Sequence, residues 1–373
     1  MIGVPAVWLQ LASATHAPRW RATLTDAAGY PLVADLPVTG GQLSRAWDGS
    51  PRTSAQVYLP ASPQWQLIDQ QYLPVGHRLH LQYRIEGDGL ADSWVTMADL
   101  DVTDSAISRP DDMWTLHAVD RSARIAVDDL ARAAVPPVAG EVIVDAVTTL
   151  LHRTFPGTQV LATGPVLTQR VPTKYNEDTA DGSPWDLITA LCAEAQSEVF
   201  YDTDRRVRIR PIPTVASAAA DTVDVGEEGS VVGYTVKHEM SINTVAMVYR
   251  ASNGQVLRRG YAEDRRPYSP SSVQRVGSHV VEGRVIDSDG APSQAEADAA
   301  AAAWLTRQGK PRAAELQHPS RPWLEPGDTV QVSFLGGPTE LQVVESVGVD
   351  LGHEGLQTTR LRNHDYQMST EVP

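Results

Sequence analysis

The chain has 373 residues, enough for two or three domains with ordinary cores at 42% hydrophobic content. Its formal charge of −15 and the lack of a long basic tract exclude a dedicated nucleic-acid binder and an anionic membrane surface as partner. The single cysteine, Cys192, excludes an internal disulfide and a cysteine zinc site, and no run of about 18 apolar residues is present to cross a membrane.

The N-terminal stretch MIGVPAVWLQLASATHAPRW has no basic region ahead of a long apolar run. It therefore predicts no signal peptide, and synthesis and assembly in the cytoplasm. From there to about residue 135 the chain reads as short strands. They are Arg19–Leu24, Gln42–Ser44 behind Gly40-Gly41, Ser54–Leu59, Arg78–Glu86, Trp94–Val102 and Met113–Val119. Leu79, Leu81, Tyr83 and Ile85 alternate with His80, Gln82 and Arg84, the pattern of a strand with one buried face. Strands at this spacing predict a sandwich or barrel.

Ser122 to Leu130 reads as a short helix, and Pro136-Pro137 mark the first domain boundary. Glu141–Phe155 predicts a helix with Ile143, Val147, Leu150 and Leu151 on one face and Pro156-Gly157 as its stop. Gln169–Pro172 fits a strand or an extended linker. Ser183 can cap a second helix and Pro184 suits its first turn. Trp185, Ile188, Leu191, Cys192 and Ala195 share one face of it. Cys192 therefore reads as a core residue. The period then switches to two for a hairpin, Val199 to Ile209, turning at Asp202-Thr203-Asp204, and Trp185 reads as the residue that packs the helix on this hairpin.

Residues 214–222 are a low-complexity crossing into a second β-rich segment. Val231–His238, Asn243–Arg250 and Gln255–Tyr261 read as strands, with a hairpin turn at Ser252-Asn253-Gly254. Residues 293–308 form a helix: Ser293 and Glu296 make a capping box, and Gly309 with Pro311 ends it. Strands resume at Ala313–His318, Thr329–Phe334, Thr339–Asp350 and Leu356–Arg362, with Pro326-Gly327-Asp328 as a tight turn. The fold class read from this order is α+β, mainly β. Its domains are a barrel-like β-domain over 1–135, a small α+β domain over 136–222, and a second barrel-like β-domain over 223–373 carrying the helix.

No catalytic, cofactor-binding or metal residue stands out. A P-loop, a dinucleotide fingerprint and a nucleophile elbow are all missing, and His238-Glu239 lacks the second histidine of a metalloprotease helix. Asp99, Asp101, Asp104, Asp111 and Asp112 are spaced carboxylates of the kind calcium binds, but without the glycine and terminal glutamate of an EF-hand loop. A solvated strand end is the plainer reading. Arg205, Arg206, Arg208 and Arg210 suit a phosphate patch or, alternating with Val207 and Ile209, the wet face of a strand. Arg258-Arg259 and Arg265-Arg266, with Glu263 and Asp264, balance charge on a loop or form a subunit contact. The nine tryptophans suggest a surface covered by another chain, local core filling, or, for Trp304 and Trp323, sugar stacking.

Three stretches carry a family resemblance. They are Ser183-Pro184-Trp185-Asp186-Leu187-Ile188 leading through Glu198–Asp202 to Val207–Pro211, the helix ending Phe155-Pro156-Gly157, and Leu324-Glu325-Pro326-Gly327-Asp328-Thr329-Val330. Together with the order of parts they resemble the phage tail-tip and baseplate hub family, including late-control-D-like proteins and actinobacterial phage minor tail proteins. The resemblance implies a non-enzymatic virion protein without cofactors. It implies a homotrimer, with two tube domains per chain closing a pseudo-sixfold ring around a channel for DNA. It further implies contacts to the tail tube or distal tail protein, the tape-measure protein and a central fibre or spike. Specific nucleic-acid binding and membrane insertion are not expected. A carbohydrate- or receptor-binding tip protein and a cell-wall hydrolase are the alternatives.

Overall fold

The computed structural model describes residues 1–5, 8, 17–47, 49–60, 75–86, 93–108, 113–128, 137–172, 175, 183–216, 218–225, 231–238, 242–251, 253–267, 269, 271–278, 280–287, 292–308, 312–334, 339–352 and 355–362. Pro136, Asp111, Asp112, Glu239, Ser252, Gly309 and Pro311 lie outside them.

The first segment forms β1 (Ala17–Thr25), β2 (Pro31–Pro37), β3 (Gly40–Ala46), β4 (Thr53–Pro60), β5 (Arg78–Glu86), β6 (Val95–Ser108) and β7 (Met113–Val119), followed by the short helix α1 (Ser122–Ala126). In β5 the alternation holds residue by residue: Leu79, Leu81, Tyr83 and Ile85 are buried and their neighbours half-exposed. The middle segment forms α2 (Ile143–Thr154), β8 (Val160–Ala162), α3 (Pro184–Glu194), β9 (Ser197–Tyr201) and β10 (Val207–Pro211). The third forms β11 (Asp221–Val225), β12 (Gly233–His238), β13 (Thr244–Arg250), β14 (Val256–Glu263), a one-turn helix α4 (Val273–Val276), β15 (Val280–Asp287), α5 (Gln294–Gln308), β16 (Arg312–Pro319), β17 (Thr329–Phe334), β18 (Thr339–Asp350) and β19 (Leu356–Arg362). The fold is α+β and mainly β.

The first and third segments share one sheet of 13 strands. Its main path runs β12-β16-β19-β18-β3-β4-β7-β6-β5-β1-β2, with β11 and β17 attached beside β18. The long strand β18 makes the junction. Its first half pairs with β17, and Ser346 to Asp350 then pair antiparallel with Ala46 to Gln42 of β3, while β19 holds the opposite edge. One hydrophobic core backs both segments, from Leu24, Leu43 and Leu81 to Trp323, Val332 and Val349. Tyr83 sits between Trp8, Trp20 and Trp323, with ring centroids at 5.6, 4.9 and 6.3 Å. The buried Arg45 guanidinium donates to the carbonyls of Pro322 (2.7 Å) and Met97 (2.6 Å), fastening a loop of the third segment to β6.

Two smaller units hang on this body. In the middle unit, α2 and α3 pack on the sheet β8-β10-β9, and α1 joins them through Ile125. Ile125 thus belongs to the middle core, although it precedes the Pro136-Pro137 boundary. Farther on, β13 runs between β14 and β15, and α5 covers that sheet by packing Ala297 and Ala301 on Val245, Met247 and Tyr249. The helix therefore has a small core of its own, apart from the main sheet.

Candidate functional site

The residues singled out in sequence converge where the middle hairpin meets the β body. Ser183 starts α3 as expected: its Oγ accepts from the Asp186 amide, and the Asp186 carboxylate accepts from the Ser183 amide. That fixes Trp185, which is buried and stacks on Tyr201 of β9 at 5.9 Å. Cys192 lies in the same core, where burial pushes its thiol up to about 12 and leaves it without nucleophilic character.

The hairpin turn is organised by Asp202, whose carboxylate accepts from the amides of Asp204 and Arg206. This puts Arg205 in the left-handed region at φ 62°, with its side chain turned back toward β6. Its guanidinium donates to Asp99 (2.9 Å) and Asp101 (2.5 Å). Arg78 donates to the same Asp99 carboxylate at 2.5 Å, and His80 stands 3.7 Å away. Burial alone would raise the Asp99 carboxyl. The nearby His80 ring, a hydrogen bond from Arg78 and the charge of Arg205 instead hold it well below the usual carboxylate range. Two of the carboxylates offered to calcium by their spacing therefore face guanidinium groups, and Asp104 is exposed. Among the described residues, no group of three or more histidines, cysteines and carboxylates is arranged to hold a metal.

The other arginines are paired within the hairpin. Arg206 and Arg208 both donate to Asp202, and Arg210 donates to Glu198 at 2.6 Å. Glu198 also receives Arg52 of the β body at 3.2 Å. Arg52 lies over the Phe200 ring at 3.8 Å, Arg210 lies over the same ring at 4.9 Å, and both donate to the Pro326 carbonyl. The tight turn at Pro326-Gly327-Asp328 is thus where the third segment enters the joint. Beside the joint an open cleft of about 1000 Å³ separates Val95 and Thr96 of the body from Val144, Phe200 and Arg208 of the middle unit. The arrangement fixes position through charge.

Arg52 and Arg45 are the residues that sequence reading missed. Each partner is far away along the chain, so local spacing carries no sign of the pairing. The tryptophans are clearer. Trp8, Trp20, Trp114, Trp185 and Trp323 are buried, and Trp304 packs against the α5 core. Trp94 lies under Arg21 and Arg84, and Trp47 under Arg362. Sugar stacking by Trp323 or Trp304 loses its support. In the loop after β14, Arg265 pairs with Glu263 at 2.6 Å and Arg266 with Asp264 at 2.9 Å, balancing charge locally.

No protein-family model matches the chain, and no curated protein does. Solved structures do. The tail protein from Neisseria meningitidis MC58 is similar at a TM-score of 0.63 and 10% identity, over 92% of this chain and 97% of that one. The chain has the fold of this tail protein. The 43 kDa tail protein of prophage MuSo2 from Shewanella oneidensis agrees at a TM-score of 0.59 and 11% identity, over 94% of this chain and 99% of that one. The tail-protein fold also recurs within a half-lidded Francisella PdpA-VgrG complex, at a TM-score of 0.52 and 9% identity over 97% of this chain and 60% of that one. At these identities the likeness concerns the fold, and it runs through all three segments.

Proposed function

We propose that this protein is a structural hub of a phage tail tip or baseplate. Three copies close a pseudo-sixfold ring that joins the tail tube to the tip or spike and leaves a channel for DNA. The observation that carries this reading is the tail-protein fold extending over 92% of the chain. The single sheet shared by the first and third segments supports it, because two β units rigidly joined edge to edge can present two tube-like walls per subunit. Its neighbours in the particle are the tail tube or distal tail protein, the tape-measure protein and a central fibre or spike, the last in keeping with the likeness to a VgrG complex.

The hub works without catalysis and without cofactors. Three copies carry about −45 of formal charge, and a wall that is acidic or neutral lets DNA pass without sticking. The hairpin arginines suit such a wall, since each is neutralised inside its own subunit. The test is immunolabelling of intact particles, together with a clearing assay on peptidoglycan. Label at the tail tip and no clearing are expected. Label on the capsid, or clearing abolished by changing one carboxylate, contradicts the proposal.

A further inference from the structure

The body and the middle unit each have a hydrophobic core, and among the described residues the two cores have no member in common. Phe200 is buried between them, belongs to neither core and is held between the Arg52 and Arg210 guanidinium groups. What crosses the joint is charge: Arg205 to Asp99 and Asp101, Arg124 of α1 toward Asp101 at 3.9 Å, Arg52 to Glu198, and Arg210 to the Pro326 carbonyl. An apolar joint would gain stability from every Å² it covers. A buried ion pair contributes little net stability, because desolvation offsets its attraction, but it defines one register and is costly to leave half-made.

The lock is also incompletely satisfied. Asp101 Oδ2, Arg205 Nε and Arg121 Nε are buried without a hydrogen-bond partner, and Arg205 keeps a left-handed backbone that a residue with a Cβ adopts at a cost. Only two connectors tie the middle unit to the body. One is Asp120-Arg121 ahead of α1; the other runs from Ile212 to Ala220, where Ala216 and Ala220 donate their amides to Thr329. The cleft of about 1000 Å³ along one side leaves room for a tilt.

We propose that this joint is a charge-locked hinge. The middle unit, α1 with residues 138–211, swings away from the β body as a rigid piece with both cores intact, and the fork from Arg205 to Asp99 and Asp101 sets how often it does so. The opening is a sub-global one, lower in free energy than melting either core. It does not require a ring and would operate in a single chain.

Hydrogen–deuterium exchange on the full chain tests it, comparing the native protein with Arg205→Ala and with Arg205→Lys, which keeps the charge and loses the fork. In both variants the Ala216 and Ala220 amides should exchange at least tenfold faster. Amides within α3, the β9–β10 ladder and the β18–β19 ladder should keep their native rates. Arg205→Lys is the milder change and keeps the comparison available should Arg205→Ala not fold. Equal acceleration of connector and core amides would mean that Arg205 simply stabilises one cooperative unit. Unchanged connector amides would mean that Arg205 does not lock the joint. Either outcome overturns the hinge.

Discussion

Removing the Trp185 side chain should cost about 3–5 kcal/mol, because the indole is buried and stacks flat on Tyr201. Thermal unfolding of Trp185→Ala measures this, and an unchanged midpoint would contradict the packing. A second residue gives a pH signature. His318 is fully buried between the Pro319 carbonyl and the Thr359 hydroxyl. Burial first, and then the neighbouring Arg321 charge, push it from 6.5 down to about 4. The unfolded chain therefore binds more protons than the folded one between those two values. Stability should fall as pH drops through that window, by up to about 1.4 kcal/mol per pH unit from this one group. Denaturant titrations of native protein and His318→Gln should differ in slope there by about that amount, and parallel slopes would rule the histidine out. At this scale the sequence was readable where a residue's neighbours decide its role. Leu79, Leu81, Tyr83 and Ile85 alternate, and Cys192 lies on an apolar helical face. It was silent on the pairing of Arg205 with Asp101, because 104 positions separate them.

Elements were legible in proportion to how much of their reason is local. α3 was, because Ser183 and Pro184 write a helix start into consecutive residues. So was α5, from Ser293 and Glu296. The strand β2 was not: proline stands at both ends, and Asp35 takes φ 54°, features that argue against a strand unless it lies at a sheet edge, as β2 does. β8 was missed because three residues in parallel pairing with β10 carry no periodicity of their own. The docking of α5 rests on a glycine. A Cβ on Gly260 of β14 would fall 1.9 Å from the Ala297 carbonyl oxygen. Gly260→Ala should therefore push the helix off its sheet and destabilise by about 1–3 kcal/mol. Amide exchange in α5 should rise while that of α3 stays constant; equal protection of α5 in both proteins would show that the helix does not need the close approach.

For the whole molecule, the order of β, α+β and β segments was visible from turns and changes of period. That the outer two form one sheet was not, since the β3–β18 pairing joins residues some 300 positions apart and nothing in either strand specifies the other. This junction joins the two β units into one sheet, and in the proposed hub that sheet forms one wall of the tube. The central claim is that three such walls close a ring. An image reconstruction of the tail tip from assembled particles, with the copies of this chain counted, tests it most directly. The account predicts three copies around one axis, each contributing its first and third segments to a single pseudo-sixfold layer. Six or twelve copies in that layer would contradict it.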